Sequence, residues 1–163
     1  MRRVGVVVLV VAALLFLLGQ ATKLPKAGDK APMFSVSTMD GKKLSSTDLV
    51  ARGPALLIFI GYSCPTTHVI FKHYKKLDER LAGSGIQRYL VLDAKADGAK
   101  QFAAKHSTKI PMLLDPEKKA FRAYGLTKSP ATALLTKDGK VAKFDLGISQ
   151  SILTATATEA YKL

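Results

Sequence analysis

The chain has 163 residues, a length for one domain with a core of its own, and its single cysteine excludes an internal disulfide. Its formal net charge is +13, from 25 Lys+Arg against 12 Asp+Glu. The lysines are spread, as in Lys42-Lys43, Lys72, Lys75-Lys76 and Lys118-Lys119, with no arginine-rich block or base-stacking motif, so nucleic acid is set aside and the charge points to solubility and to anionic membrane surfaces or acidic partners.

Met1-Arg2-Arg3 followed by the apolar, uncharged run Val4 to Leu18 and by Gly19-Gln20-Ala21 reads as an export segment. Two outcomes stay open: cleavage after Ala21, or an uncleaved anchor, since the run approaches the ~17 to 25 residues a spanning helix needs. Both place the domain outside the cytoplasm, periplasmic or extracytoplasmic, with membrane association through residues 4–18 in the second case. Residues 22–32, with two prolines and a glycine, are expected as a linker, and 33–163 as the domain.

Phe34 to Ser37 alternates apolar and polar, Asp40-Gly41 marks a tight turn and Lys43-Leu44 begins the return, which predicts a hairpin. Ser45 and Asp48 are spaced as a capping box for a short helical turn that Gly53-Pro54 breaks. Leu56 to Ile60 is a buried strand, Gly61 to Ser63 a corner, and Pro65 suits the first position of a helix running to about Ala82. Ile70, Tyr74, Leu77 and Leu81 supply that helix's apolar stripe.

Cys64 falls at the N-cap of that helix. The partial positive charge and unpaired N–H groups of a helix start stabilise a thiolate, the nucleophilic form of cysteine. A buried structural cysteine would fit inside the apolar strand, whereas this one lies beyond it in a turn. Gln87 to Leu92 is the next strand, Asp97 to His106 a helix, Ile110 to Leu114 a short strand and Glu117 to Tyr124 a short helix. Pro130 to Thr136 and Val141 to Phe144 form a hairpin about Lys137 to Lys140, and a last helix covers Ser149 to about Tyr161. The alternation favours an α/β layer with parallel strands through the middle.

Strand, cysteine at a helix start, long helix, strand, helix, then Ser129-Pro130-Ala131-Thr132 leading a hairpin with Asp138-Gly139: this order resembles the thioredoxin-like superfamily. With Gly28-Asp29-Lys30-Ala31-Pro32-Met33-Phe34 and Asp40-Gly41 it is similar to the redoxin branch, the alkyl hydroperoxide reductase/thiol-specific antioxidant (AhpC/TSA) proteins, over about Gly28 to Tyr161. The resemblance implies a thioredoxin-like α/β fold, a central mixed sheet flanked by helices with an N-terminal β-hairpin extension. It also implies that Cys64 is the attacking cysteine, that Thr67 stands where the second, resolving cysteine would be, and that Pro130 is the proline, cis in that family, that presents backbone to a substrate strand.

Two neighbouring families fit less well. Peroxiredoxins place a threonine three residues before the reactive cysteine, where Gly61 stands here, and an arginine directly before the Ala-Thr pair, where Pro130 stands; Arg122 and Arg88 are the remaining candidates to approach Cys64. The run Phe59 to Pro65 also resembles the copper-delivery Sco proteins, but copper there needs two cysteines and a histidine. Cys64 and His68, four residues apart on one helical face, make a poor two-ligand site. His68 is expected as a surface residue of the first turn that favours the thiolate when protonated, and His73 and His106 as solvated.

The expectation is a thiol redox protein in which Cys64 acts as nucleophile, Thr67 as hydrogen-bond donor, Pro130 as platform and Tyr62 as apolar wall, with no cofactor or metal. The partner is an external thiol or a protein disulfide, because Cys64 alone cannot resolve a mixed disulfide. A one-cysteine peroxidase and a non-catalytic binding module are the alternatives.

Overall fold

The computed structural model describes residues 23–163, so the expected export segment lies outside the described residues. The predicted hairpin is β1 (Ser35–Thr38) and β2 (Lys43–Ser45), paired antiparallel. The Ser45 side chain accepts the Asp48 N–H while the Asp48 carboxylate accepts the Ser45 N–H, so the capping box closes and starts α1 (Ser46–Val50). After Gly53-Pro54 comes β3 (Ala55–Ile60), all six residues fully buried.

Strand β3 leads into α2 (Pro65–Arg80), and β4 (Gln87–Leu92) lies parallel beside it. A second crossover, α3 (Ala96–His106), leads to β5 (Met112–Leu114), parallel to β4. Both crossovers step the same way across the sheet, so right-handed connections put both helices on one face. After α4 (Lys119–Ala123), β6 (Ala131–Leu135) returns antiparallel to β3, β7 (Val141–Leu146) pairs with β6, and α5 (Gln150–Ala160) ends the chain. The sheet order is β2-β1-β5-β4-β3-β6-β7.

Alternation along β3 divides the core. Leu56, Ile58 and Ile60 pack with Phe71, Tyr74, Leu77, Phe102, Leu153 and Ala157 of α2, α3 and α5. Leu57 and Phe59 pack on the other face with Leu49, Phe121 and Tyr124, near or within α1 and α4. Each such buried side chain contributes about 1.5–3 kcal/mol, so the strand that delivers the cysteine is among the most firmly held. The buried stripe of α2 is Thr67, Phe71, Tyr74 and Leu77, with Leu81 just beyond. Ile70, expected in that stripe, is only partly buried, because Phe71 turns inward against Phe102 at 4.9 Å between ring centroids.

The stretch expected as a linker lies against the domain. Gly28 N–H donates to the Val141 carbonyl (2.8 Å), Ala31 N–H to Gly139 (2.9 Å), and Lys30 bridges Lys140 antiparallel. This run covers the start of β7, an outer strand whose unpaired N–H and C=O groups would otherwise be open to another chain. Among the described residues no helix is long and apolar enough to cross a membrane.

Candidate active site

Strand β3 ends against the start of β6, which runs the opposite way, so Gly61 meets Ser129. The Gly61 N–H donates to Ser129 Oγ at 3.1 Å, and the Ser129–Pro130 peptide is cis. A methyl group added at Gly61 would lie 2.4 Å from Ser129 Oγ, so only glycine lets the two segments close. The next N–H, of Tyr62, donates to Asp93 Oδ1 at 2.6 Å, and Asp93 Oδ2 pairs with Lys118 Nζ at 3.0 Å. The cysteine loop is thereby pinned to the C-terminal ends of β4 and β5. Tyr62, half-buried, lies against Gly98 of α3, and its hydroxyl donates to Gln101 Oε1 at 2.8 Å.

Cys64 follows, its N–H donating to the Gly61 carbonyl (3.1 Å) and its extended backbone forming the N-cap of α2, with Pro65 as the first helical residue. Cys64 is partly exposed. Its pKa is lowered from the ordinary thiol value, first by the Thr67 N–H and then by the Thr67 hydroxyl; burial opposes them, and the Thr66 N–H and hydroxyl assist. The Thr67 hydroxyl is fully buried and makes no hydrogen bond in the structure, which leaves it free to donate to a thiolate at Cys64. The arrangement presents a stabilised, accessible sulfur nucleophile.

Of the three residues expected to form the site, Cys64 and Thr67 share the start of α2 just beyond β3, and Pro130 follows the Ser129 that holds Gly61. The histidines correct the sequence reading. His68 is not a free surface residue and His106 is not solvated: His68 Nδ1 and His106 Nε2 are 2.7 Å apart, with the rings stacked at 5.0 Å and packed on Phe102 and Phe71. A lone histidine four residues after the cysteine gave no sign of this, because its partner is 38 positions away on α3. Arg88 is committed to Asp78 and the Leu81 and Ile86 carbonyls, and Arg122 to the Glu117 carbonyl, so both lie elsewhere than at the sulfur. Among the described residues no group of three or more His, Cys, Asp or Glu could hold a metal ion.

Sequence reasoning missed Asp93 and the hydroxyl of Ser129. Asp93 directly follows the apolar run of β4, and a polar side chain at the carboxyl end of a parallel strand is the available signal.

A mixed sheet with a cysteine at the start of the helix after β3, and a cis-proline opening the antiparallel strand beside it, defines a thioredoxin-fold protein. A profile of the AhpC/TSA family matches residues 27–144. The chain belongs to the AhpC/TSA family and is a thioredoxin-fold thiol redox protein. Among its relatives, the thiol-disulfide oxidoreductase ResA of Bacillus anthracis is 30% identical over 122 residues, 74% of this chain and 69% of that one. The structure of MTB DsbF superposes with a TM-score of 0.66 at 25% identity, covering 78% of this chain and 94% of that one. Peroxidoxin BcpB from Mycobacterium tuberculosis shares the fold at a TM-score of 0.71 and 18% identity, over 85% and 97% of the two chains.

Proposed function

We propose that Cys64 carries out thiol-disulfide exchange by a one-cysteine route. Its thiolate attacks one sulfur of a disulfide, forming a Cys64 mixed disulfide and expelling the other sulfur as thiolate. With Thr67 in place of a resolving cysteine, an outside thiol then attacks the mixed disulfide and returns Cys64 to thiolate. Pro130 is the platform for the incoming chain, consistent with Ser129 beside it, whose N–H and carbonyl take no part in the backbone hydrogen bonds of the described residues. The observation that carries the reading is the buried Thr67 hydroxyl, left without a hydrogen-bond partner beside the cysteine whose pKa it helps to lower.

Gly61 speaks against a peroxidase: the place of the peroxiredoxin threonine holds no side chain, and Ser129 fills the space. The relatives' names, which describe thiol-disulfide oxidoreduction, support exchange. Residues 1–21 serve as leader or anchor and put the domain outside the cytoplasm, a reading supported by the basic start and the apolar run of the sequence.

The test is the pH dependence of Cys64 alkylation in the full chain, with hydrogen peroxide and a small disulfide as competing oxidants. A thiol titrating below the free value of ~8.5 and consumed faster by disulfide is expected. Faster consumption by peroxide transfers the site to peroxidase chemistry. An ordinary pKa with slow reaction toward both leaves a binding module.

A further inference from the structure

Beside Pro130 lies a cleft of about 370 Å³, bounded by Leu24, Thr127, Lys128, Leu146 and Gly147. Its volume is that of a small-molecule site. Its walls are mainly apolar: Leu24 is 40% and Leu146 47% exposed, large aliphatic side chains left open at one rim. The Pro130 carbonyl is already taken by the Gly147 N–H at 2.8 Å, which fixes the floor. Among the described residues Lys128 is the only charged one in the lining, no carboxylate faces it there, and it enters no ion pair. Pro130 links the cleft to the cysteine loop, since the Ser129 that precedes it accepts through Oγ the N–H of Gly61, three residues before Cys64.

We infer that this cleft admits the outside thiol of the exchange reaction, and that the thiol is a low-molecular-weight one bearing a carboxylate, paired with Lys128. The inference rests on the one-cysteine reading above. A chain without a resolving cysteine needs a second thiol to enter while the first sulfur is still bound, and the cleft gives it an entrance that does not displace the bound half. In the step, the entering thiolate sulfur forms a bond to the substrate sulfur of the Cys64 mixed disulfide. The bond from that sulfur to Cys64 Sγ breaks and its electron pair leaves on Cys64 as thiolate. The entering thiol departs as a disulfide with the substrate half, so two thiol sulfurs are exchanged and nothing further is oxidised or reduced. One unpaired cation against an apolar wall suits an acid with a short aliphatic body.

The experiment loads Cys64 of the full chain with 2-mercaptoethanol as a mixed disulfide. Its release is timed with 3-mercaptopropionate, 2-mercaptoethanol and cysteamine, each rate divided by that of the same thiol on free 2-hydroxyethyl disulfide. The anionic thiol is expected to lead the neutral one by about three- to fivefold, the worth of one exposed ion pair, with the cationic thiol last. Lys128→Gln brings the anionic-to-neutral ratio near one and Lys128→Glu inverts it, whereas Lys162→Gln, which removes an equal charge at the far end of the chain, leaves the ratio in place. A ratio near one in the native protein, or one that falls as much in Lys162→Gln as in Lys128→Gln, overturns the inference. So does release by a reduced dithiol protein alone, which makes the cleft a polypeptide groove. A Cys64 that forms no mixed disulfide with any small disulfide sinks the exchange reading itself, an outcome distinct from charge-blind release.

Discussion

Ser129 Oγ accepts the Gly61 N–H at 3.1 Å and occupies the space that any side chain at position 61 would need. The hydrogen bond ties the end of β3 to the residue before Pro130, and so joins the cysteine loop to the segment that opens β6. Gly61→Ala is expected to lower stability by about 1–3 kcal/mol through overpacking against Ser129. Ser129→Gly in the same chain removes the obstructing hydroxyl and should restore a large part of the loss. Urea midpoints of the two single variants and the double variant measure the coupling, and strictly additive effects would count against the interlock.

Thr67→Val keeps the volume and removes the hydroxyl proposed to donate to the thiolate. The Cys64 pKa should rise and alkylation at pH 7 should slow by about tenfold, as expected for losing a charge-assisted hydrogen bond worth roughly 1.5 kcal/mol. Thr67→Ser restores most of the rate. Equal alkylation profiles for the native chain and Thr67→Val would show that the helix-start N–H groups act without the hydroxyl.

His106 is held below the ordinary imidazole value, first by burial, then by His68, Lys105 and Lys75. The unfolded chain therefore takes up this proton at a higher pH than the folded one. Stability from this group is complete above about pH 6.5 and is lost as pH falls toward the folded value. His106→Leu should flatten the fall in urea midpoint between pH 7.5 and pH 5. An unchanged slope would assign the loss to other groups.

Asp115 is 3% exposed and accepts the N–H groups of Lys119 (2.7 Å), Ala120 (2.9 Å) and Phe121 (3.1 Å), which makes it the cap that starts α4. Burial pushes its carboxyl pKa up although these donors pull the other way. Asp115→Ala leaves three N–H groups without their acceptor and is expected to lower stability by about 1–3 kcal/mol, with Asp115→Asn losing less. Denaturant titration at pH 7 compares them, and a loss in the alanine variant no larger than in the asparagine variant would discount the cap.

Elements set by local chemistry were legible in the sequence. The Ser45/Asp48 capping box, the Asp40-Gly41 and Asp138-Gly139 turns and the Gln87 to Leu92 strand all lie where spacing and composition put them. Cys64 at the helix start was legible for the same reason, because strand, corner and Pro65 are contiguous. What spacing could not carry was partnership across the fold. Ser129 meets Gly61 across 68 positions, Asp93 meets Tyr62 across 31, and His106 meets His68 across 38. Each of those contacts depends on which strands and helices become neighbours, a property of topology that no local window contains.

The N-terminal segment runs along β7 so that Leu24 comes to rest near Leu146, at the rim occupied by Pro130. Whatever is joined ahead of Lys23 therefore starts beside the cleft that Pro130 lines. An affinity tag or fluorophore fused there would start beside that cleft, whereas one fused after Leu163 would start near the C-terminal end of α2, where the Tyr161 hydroxyl donates to the Arg80 carbonyl.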